Sequence, residues 1–148
     1  ILILSVFSLS ACMQTLNTSS LMKNKNILLD MSATIIHHGH VRLINRAAKL
    51  GNVIIALTID KEIKKYKGYI PEIQFKHRRE ILQSFKNVFK VVPSNFFITD
   101  KFLRSLKIDY LIHGNDNKNK ISKTKIKIFK RTLGISSTLI RKKACKNF

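Results

Sequence analysis

Residues 52–59, NVIIALTI, form an unbroken apolar run, and that run restricts the fold more than any other stretch. A strand with one wet face alternates apolar and polar residues; a continuous run of this length suits a strand covered on both faces, as in a parallel sheet with crossover helices. The neighbouring segments agree. Ile27–Met31 is a second short apolar run bounded by polar residues. Between the two, Val41, Ile44, Ala47, Ala48 and Leu50 recur at helical spacing over His40–Leu50, and Gly51 stands where a helix would end. Lys61–Gly68 is polar and basic, and Pro71 breaks the chain. Phe75–Phe85 reads as a helix with Ile81, Leu82 and Phe85 on one side, and Val88–Val92 as a third strand. A helix capped by Asp100 runs to Leu106, Asp109–His113 is a fourth strand, and Lys125–Lys130 is an edge-like fifth. Ser136 caps a last helix reaching about Cys145. Strands that alternate with helices predict an α/β fold, a parallel sheet of about five strands with right-handed crossovers and helices on both faces.

Size and charge bound the rest. At 148 residues and 45% apolar composition the chain suits a single domain with one core. The net charge of +20 attracts polyanions, whether nucleic acid, anionic lipid or phosphorylated small molecules. Equally, most basic residues are scattered lysines in an Ile- and Asn-rich chain, a pattern that needs no dedicated partner, and no nucleic-acid-binding signature accompanies them. Cys12 and Cys145 form no metal-ligand spacing and no disulfide framework, so no metal-ligating set is assigned. Residues 1–21 contain ILILSVFSLSAC, which resembles the end of a lipoprotein signal but is too short to span a membrane. We read this segment as signal-like or as a misread start upstream of Met22, and residues 22–148 as a cytoplasmic domain. Membrane anchoring follows only if residues 1–21 are a genuine signal.

In such folds ligands sit at the carboxyl ends of the strands, near the point where strand order reverses. His37–His40 follow the first strand, Thr58 and Asp60 the second, and Gly114–Asp116 the fourth. A His-x-Gly-His turn opening a helix has a physical use. Gly39 admits close backbone approach, the helix start offers free amides, and two imidazoles donate hydrogen bonds to phosphate oxygens. The other reading of the same histidines is structural.

The stretch HHGHVRLINRAAKLG, residues 37–51, resembles the signature of the cytidylyltransferase-like nucleotidyltransferases, whose fold is Rossmann-like. RTLGISST, residues 131–138, resembles that family's RTxGISTT motif, FKHRREIL its helix with a nucleotide-contacting arginine, and YLIHGND its strand ending in Gly-Asp. The likeness spans residues 26–143 and is closest to the phosphonate and phosphoethanolamine branch. It implies transfer of CMP from CTP to a small phosphate or phosphonate acceptor, such as 2-aminoethylphosphonate, phosphoethanolamine, phosphocholine or glycerol phosphate, with release of pyrophosphate. Mg2+ bound mainly through the nucleotide phosphates and a homodimer are implied with it. His37 and His40 would stabilise developing charge, aided by Lys67, with Lys64 and Lys65 as rivals, and by Arg131. Ser32, Ala33 and Gly39 would cradle phosphate, and Arg78 would hold nucleotide phosphate. Gly114 and Asp116 would line the base and ribose pocket, and Gly134, Ile135, Ser136 and Ser137 would bind base or phosphate. The chain departs from the family in three places. Thr34 stands where an Asp is usual, Asn115-Asp116-Asn117 follows Gly114 in place of Asp-Asp-Trp, and the segment before Arg131 is too short and Lys/Asn-rich for the usual helix. Rival readings are an ATP-using adenylyltransferase of the same superfamily and an inactive or nucleic-acid-binding basic domain. His38 and Arg79 are read as facing solvent or packing, His77 and His113 as structural, and Phe96 and Phe97 as core.

Overall fold

A computed structural model of the chain describes residues 25–114 and 118–146; the apolar segment 1–21 and the Asp116 assignment lie outside them. Their elements in chain order are β1 (Asn26–Met31), α1 (His38–Ala48), β2 (Asn52–Thr58), α2 (Asp60–Lys67), α3 (Phe75–Gln83), β3 (Lys90–Ser94), α4 (Asp100–Ser105), β4 (Tyr110–His113), β5 (Ile126–Ile128) and α5 (Ser137–Lys146). All strand pairs are parallel, in the order β3-β2-β1-β4-β5. This is the Rossmann-like order, and the direction of winding reverses between β1 and β4.

The apolar run of β2 explains the layering. Successive side chains point to opposite faces. Val53, Ile55 and Leu57 join Ile27 and Leu29 of β1 beneath Ile44 and Ala47 of α1 and Leu82 of α3. Ile54 and Ala56 face the other way and pack with Leu28, Leu111 and Leu103 of α4. Each fully buried Leu or Ile contributes about 1.5–3 kcal/mol of transfer free energy, so neither face can be left open. β5, with half-exposed Ile128, closes the edge as its alternating Lys and Ile foretold.

The local differences have physical causes. The polar stretch after β2 is the helix α2; Ile63 is its one buried residue, too little to give a hydrophobic period. Thr99, not Asp100, caps α4, its Oγ1 accepting from the Phe102 amide at 3.2 Å. Gly51 is not the helix terminator. α1 ends at Ala48 with Lys49 as its C-cap, and Gly51 is required because a Cβ there would lie 2.2 Å from the Lys25 carbonyl oxygen. Between β4 and β5 the described residues hold a short 3-10 turn, Lys123–Lys125, where relatives were expected to carry a helix.

Candidate active site

The β1–α1 turn folds around its own histidines. His37 is the N-cap of α1, and its Nδ1 accepts from the Gly39 amide at 3.1 Å. His40, one turn later, returns its Nδ1 to the His37 amide at 3.2 Å. The rings lie 4.1 Å apart between centroids. Gly39 is glycine by necessity, since a Cβ would meet the His37 ring at 2.9 Å and Ile135 at 3.3 Å. Because each Nδ1 accepts from an amide, each neutral ring carries its proton on Nε2 and remains a donor there. Burial, then His37 and the cations Arg131 and Lys67, push the His40 pKa down to about 4. Burial, then neighbouring His38, lowers that of His37. Both rings are therefore neutral donors near pH 7.

These histidines line a cavity of about 500 Å³ at the carboxyl ends of the strands. Of the sequence-predicted residues, Ser32, Ala33, Gly39, Lys67, Arg131, Gly114, Ile135, Ser136 and Ser137 line it with them. Lys64 and Lys65 are exposed on α2 outside the lining, which singles out Lys67 at the helix's end. Ser136 Oγ accepts from the Leu139 amide at 3.1 Å and caps α5. Ser137 Oγ donates to the Ile35 carbonyl at 2.9 Å, docking α5 on the β1–α1 turn. Gly134 (φ +74) is outside the lining and serves the turn that brings Ile135 in.

Arg78 is the main correction. It is fully buried and outside the cavity lining, because the protein uses its donors. Nε donates to Ile73 O at 2.9 Å, Nη1 to Ser32 O at 2.5 Å, and Nη2 to Thr58 O at 3.0 Å and Asp60 Oδ1 at 2.6 Å. The guanidinium ties the ends of β1 and β2 to the α2–α3 loop, and holds a turn in which Ala33 has a left-handed φ of +42. Asp60, placed after β2 as a candidate, is its partner.

Other lining residues were not foreseen. Phe96 and Phe97 are wall rather than core; Phe97 is 40% exposed, and Tyr66 stacks on Phe96 at 4.9 Å. Asp30, Tyr69, Asn119, Arg42 and Arg46 also line the cavity. Arg141 on α5 grips Glu72 with two hydrogen bonds, lies over the Tyr69 ring at 4.3 Å, and donates to Thr34 Oγ1 at 3.3 Å. That hydrogen bond to Arg141 holds the Glu72 carboxyl below its ordinary pKa. Thr34, 1% exposed, thus sits beside a cation already paired by Glu72. His38, His77 and Arg79 are exposed and outside the lining.

Residues 32–143 match the cytidylyltransferase-like family. A glycerol-3-phosphate cytidylyltransferase of Staphylococcus aureus is 27% identical over 125 residues, covering 79% of this chain and 92% of that protein. An ethanolamine-phosphate cytidylyltransferase of Dictyostelium discoideum is 27% identical over 135 residues, covering 83% of this chain but 37% of the longer relative. A lipopolysaccharide core biosynthesis protein from Thermoplasma volcanium shares the fold with a TM-score of 0.56 at 18% identity, covering 83% of this chain and 88% of that one. The chain belongs to the cytidylyltransferase-like family of nucleotidyltransferases. No helix among the described residues is long and apolar enough to cross a membrane.

Proposed function

We propose that this chain moves CMP from CTP to a small acceptor. A phosphate or phosphonate oxygen of the acceptor attacks the α-phosphorus in line, the bond to the β-phosphate breaks, and pyrophosphate leaves. One observation carries the reading: two neutral imidazoles, each fixed by its own backbone as an Nε2–H donor, beside Lys67 and Arg131 in one cavity. Donors fixed before the reaction stabilise charge that develops on the phosphoryl oxygens without reorganising. The α1 and α5 starts add amides suited to phosphate, and one cavity that both helix starts line would let the two substrates be held in register. An ion that arrives with the nucleotide and is held mainly through its phosphates is proposed with the reaction. Mg2+, commonly held by phosphates and water, supplies charge neutralisation there. The assembly proposed with this activity is a homodimer, which sedimentation of the full chain checks.

The test is pyrophosphate release by the full chain with Mg2+, CTP or ATP, and a panel of phosphoethanolamine, 2-aminoethylphosphonate, phosphocholine and glycerol phosphate. Release that needs CTP and one acceptor is expected. Preference for ATP, or release with no acceptor, contradicts the proposal. His40→Ala should remove turnover by a factor of about 100 to 1000, the range for losing one transition-state donor, while CTP binding persists.

A further inference from the structure

The turn into α5 brings Ile135, Ser136 and Ser137 to the cavity, yet no residue of that helix is buried. A helix without a buried face gains little from apolar packing, so polar ties set where it lies. Two of them sit four residues apart, on one face of the helix. Ser137 Oγ donates to the Ile35 carbonyl at 2.9 Å. Arg141 Nε donates to Glu72 Oε1, and Nη2 donates to Glu72 Oε2 at 2.8 Å and to Thr34 Oγ1 at 3.3 Å. The guanidinium carbon also stands 4.3 Å from the centroid of the Tyr69 ring.

Tyr69 and Glu72 belong to the α2–α3 loop, which begins directly after Lys67. The far end of that loop is pinned from the core, by Arg78 on the Ile73 carbonyl and by Asp60 Oδ2 accepting from the Phe75 amide at 2.9 Å. The near end, with Lys67 and Tyr69 in the cavity wall, is where Arg141 takes hold. Arg141 and Glu72 themselves stand outside the lining, so they act through the groups they join.

We propose that Arg141 is a positioning residue: by clasping Glu72 it fixes α5 against the α2–α3 loop, and so presents Lys67 and the α5 start together to the phosphates of the nucleotide. This role rests on the CTP-transfer reading above. Donors held in place before the ligand arrives spare the ordering that binding otherwise costs. A triphosphate has the oxygens to engage both groups at once. A monophosphate has fewer and depends less on their spacing.

Calorimetric titration of the full chain with CTP and with CMP, both with Mg2+, reads this role without turnover. Arg141→Gln should weaken CTP binding about 10-fold, the lower end for hydrogen bonds to a charged group because Glu72 is 41% exposed, and leave CMP binding in place. Glu72→Gln should do the same, and the two together should cost no more than either alone. Glu72→Arg combined with Arg141→Glu re-forms the pair and should recover most of the affinity. Melting temperatures should fall by less than about 4 °C, since α5 has no buried residue to expose. An Arg141→Gln loss equal for CTP and CMP, additive losses in the double variant, or no recovery on exchanging the pair overturns the proposal. The expected binding pattern in a chain that turns over no acceptor refutes the transfer reading and keeps the role of Arg141. Turnover by the unsubstituted chain with unchanged CTP binding in Arg141→Gln does the reverse.

Discussion

Replacing Arg78 with methionine keeps much of the side-chain length and removes the guanidinium from a fully buried position. The carbonyls of Ser32, Thr58 and Ile73 and the Asp60 carboxylate then lose their donor. Removing one partner of a buried ion pair costs about 3–5 kcal/mol. The Asp60 side chain is 36% exposed, so water resolvates it and the lower end applies to the pair. Of the three abandoned carbonyls only the Thr58 bond is buried, while those of Ser32 and Ile73 are part-buried and regain water, so about 1 kcal/mol adds to the pair. The destabilisation is about 4 kcal/mol. At about 2–4 °C per kcal/mol for a domain of this size, the melting temperature falls by roughly 8–16 °C. Thermal melting followed by circular dichroism, with and without CTP, reads it. A fall of less than about 3 °C together with a large loss of CTP affinity refutes the reasoning, because it would mean that the guanidinium serves the nucleotide and not the turn.

Two further outcomes follow from the same geometry. The free-chain pKa of His40, 6.5, drops to about 4 on folding, so the unfolded chain takes up the proton first as pH falls. Stability is full above pH 6.5, declines as pH falls toward about 4, and levels off below. In His40→Gln this part of the decline disappears, and an unchanged slope in melting temperature against pH would count against a buried neutral His40. Gly51→Ala drives a methyl into the Lys25 carbonyl, which also accepts from the Asn52 amide at 2.8 Å. The expected cost is about 1–3 kcal/mol, seen in denaturant titration, and an unaltered midpoint would contradict the contact.

Much of this was legible in the residues. The NVIIALTI run and the apolar spacing of α1 depend on burial alone, and burial leaves a direct trace in sequence. The His-x-Gly-His turn was readable because its caps are local, each ring bonding an amide two or three residues away. Arg78 was misplaced for the opposite reason. Its partners lie 5 to 46 positions away, and nothing local distinguishes an arginine that grips backbone from one that grips phosphate. Phe96 and Phe97 were read as core from their type, while the loop after β3 turns them into the cavity wall. Asp30 reads as a strand residue near the histidines, and its place in the cavity wall left no local trace because Asn119, which it accepts from, is 89 positions away. Helix α2 left little trace since only Ile63 is buried.

In the proposed reaction the two imidazoles and the cations around them serve attack at the α-phosphorus of CTP. Phosphorus NMR of the full chain turning over CTP and Mg2+ with an aminoalkyl phosphate observes the bonds directly. The expected products are pyrophosphate and a new diester of pyrophosphoric acid joining CMP to the acceptor, both formed about 100- to 1000-fold more slowly by His40→Ala. Inorganic phosphate with CDP, which reports cleavage at the γ-phosphorus, would contradict that reaction, as would CMP without a linked acceptor.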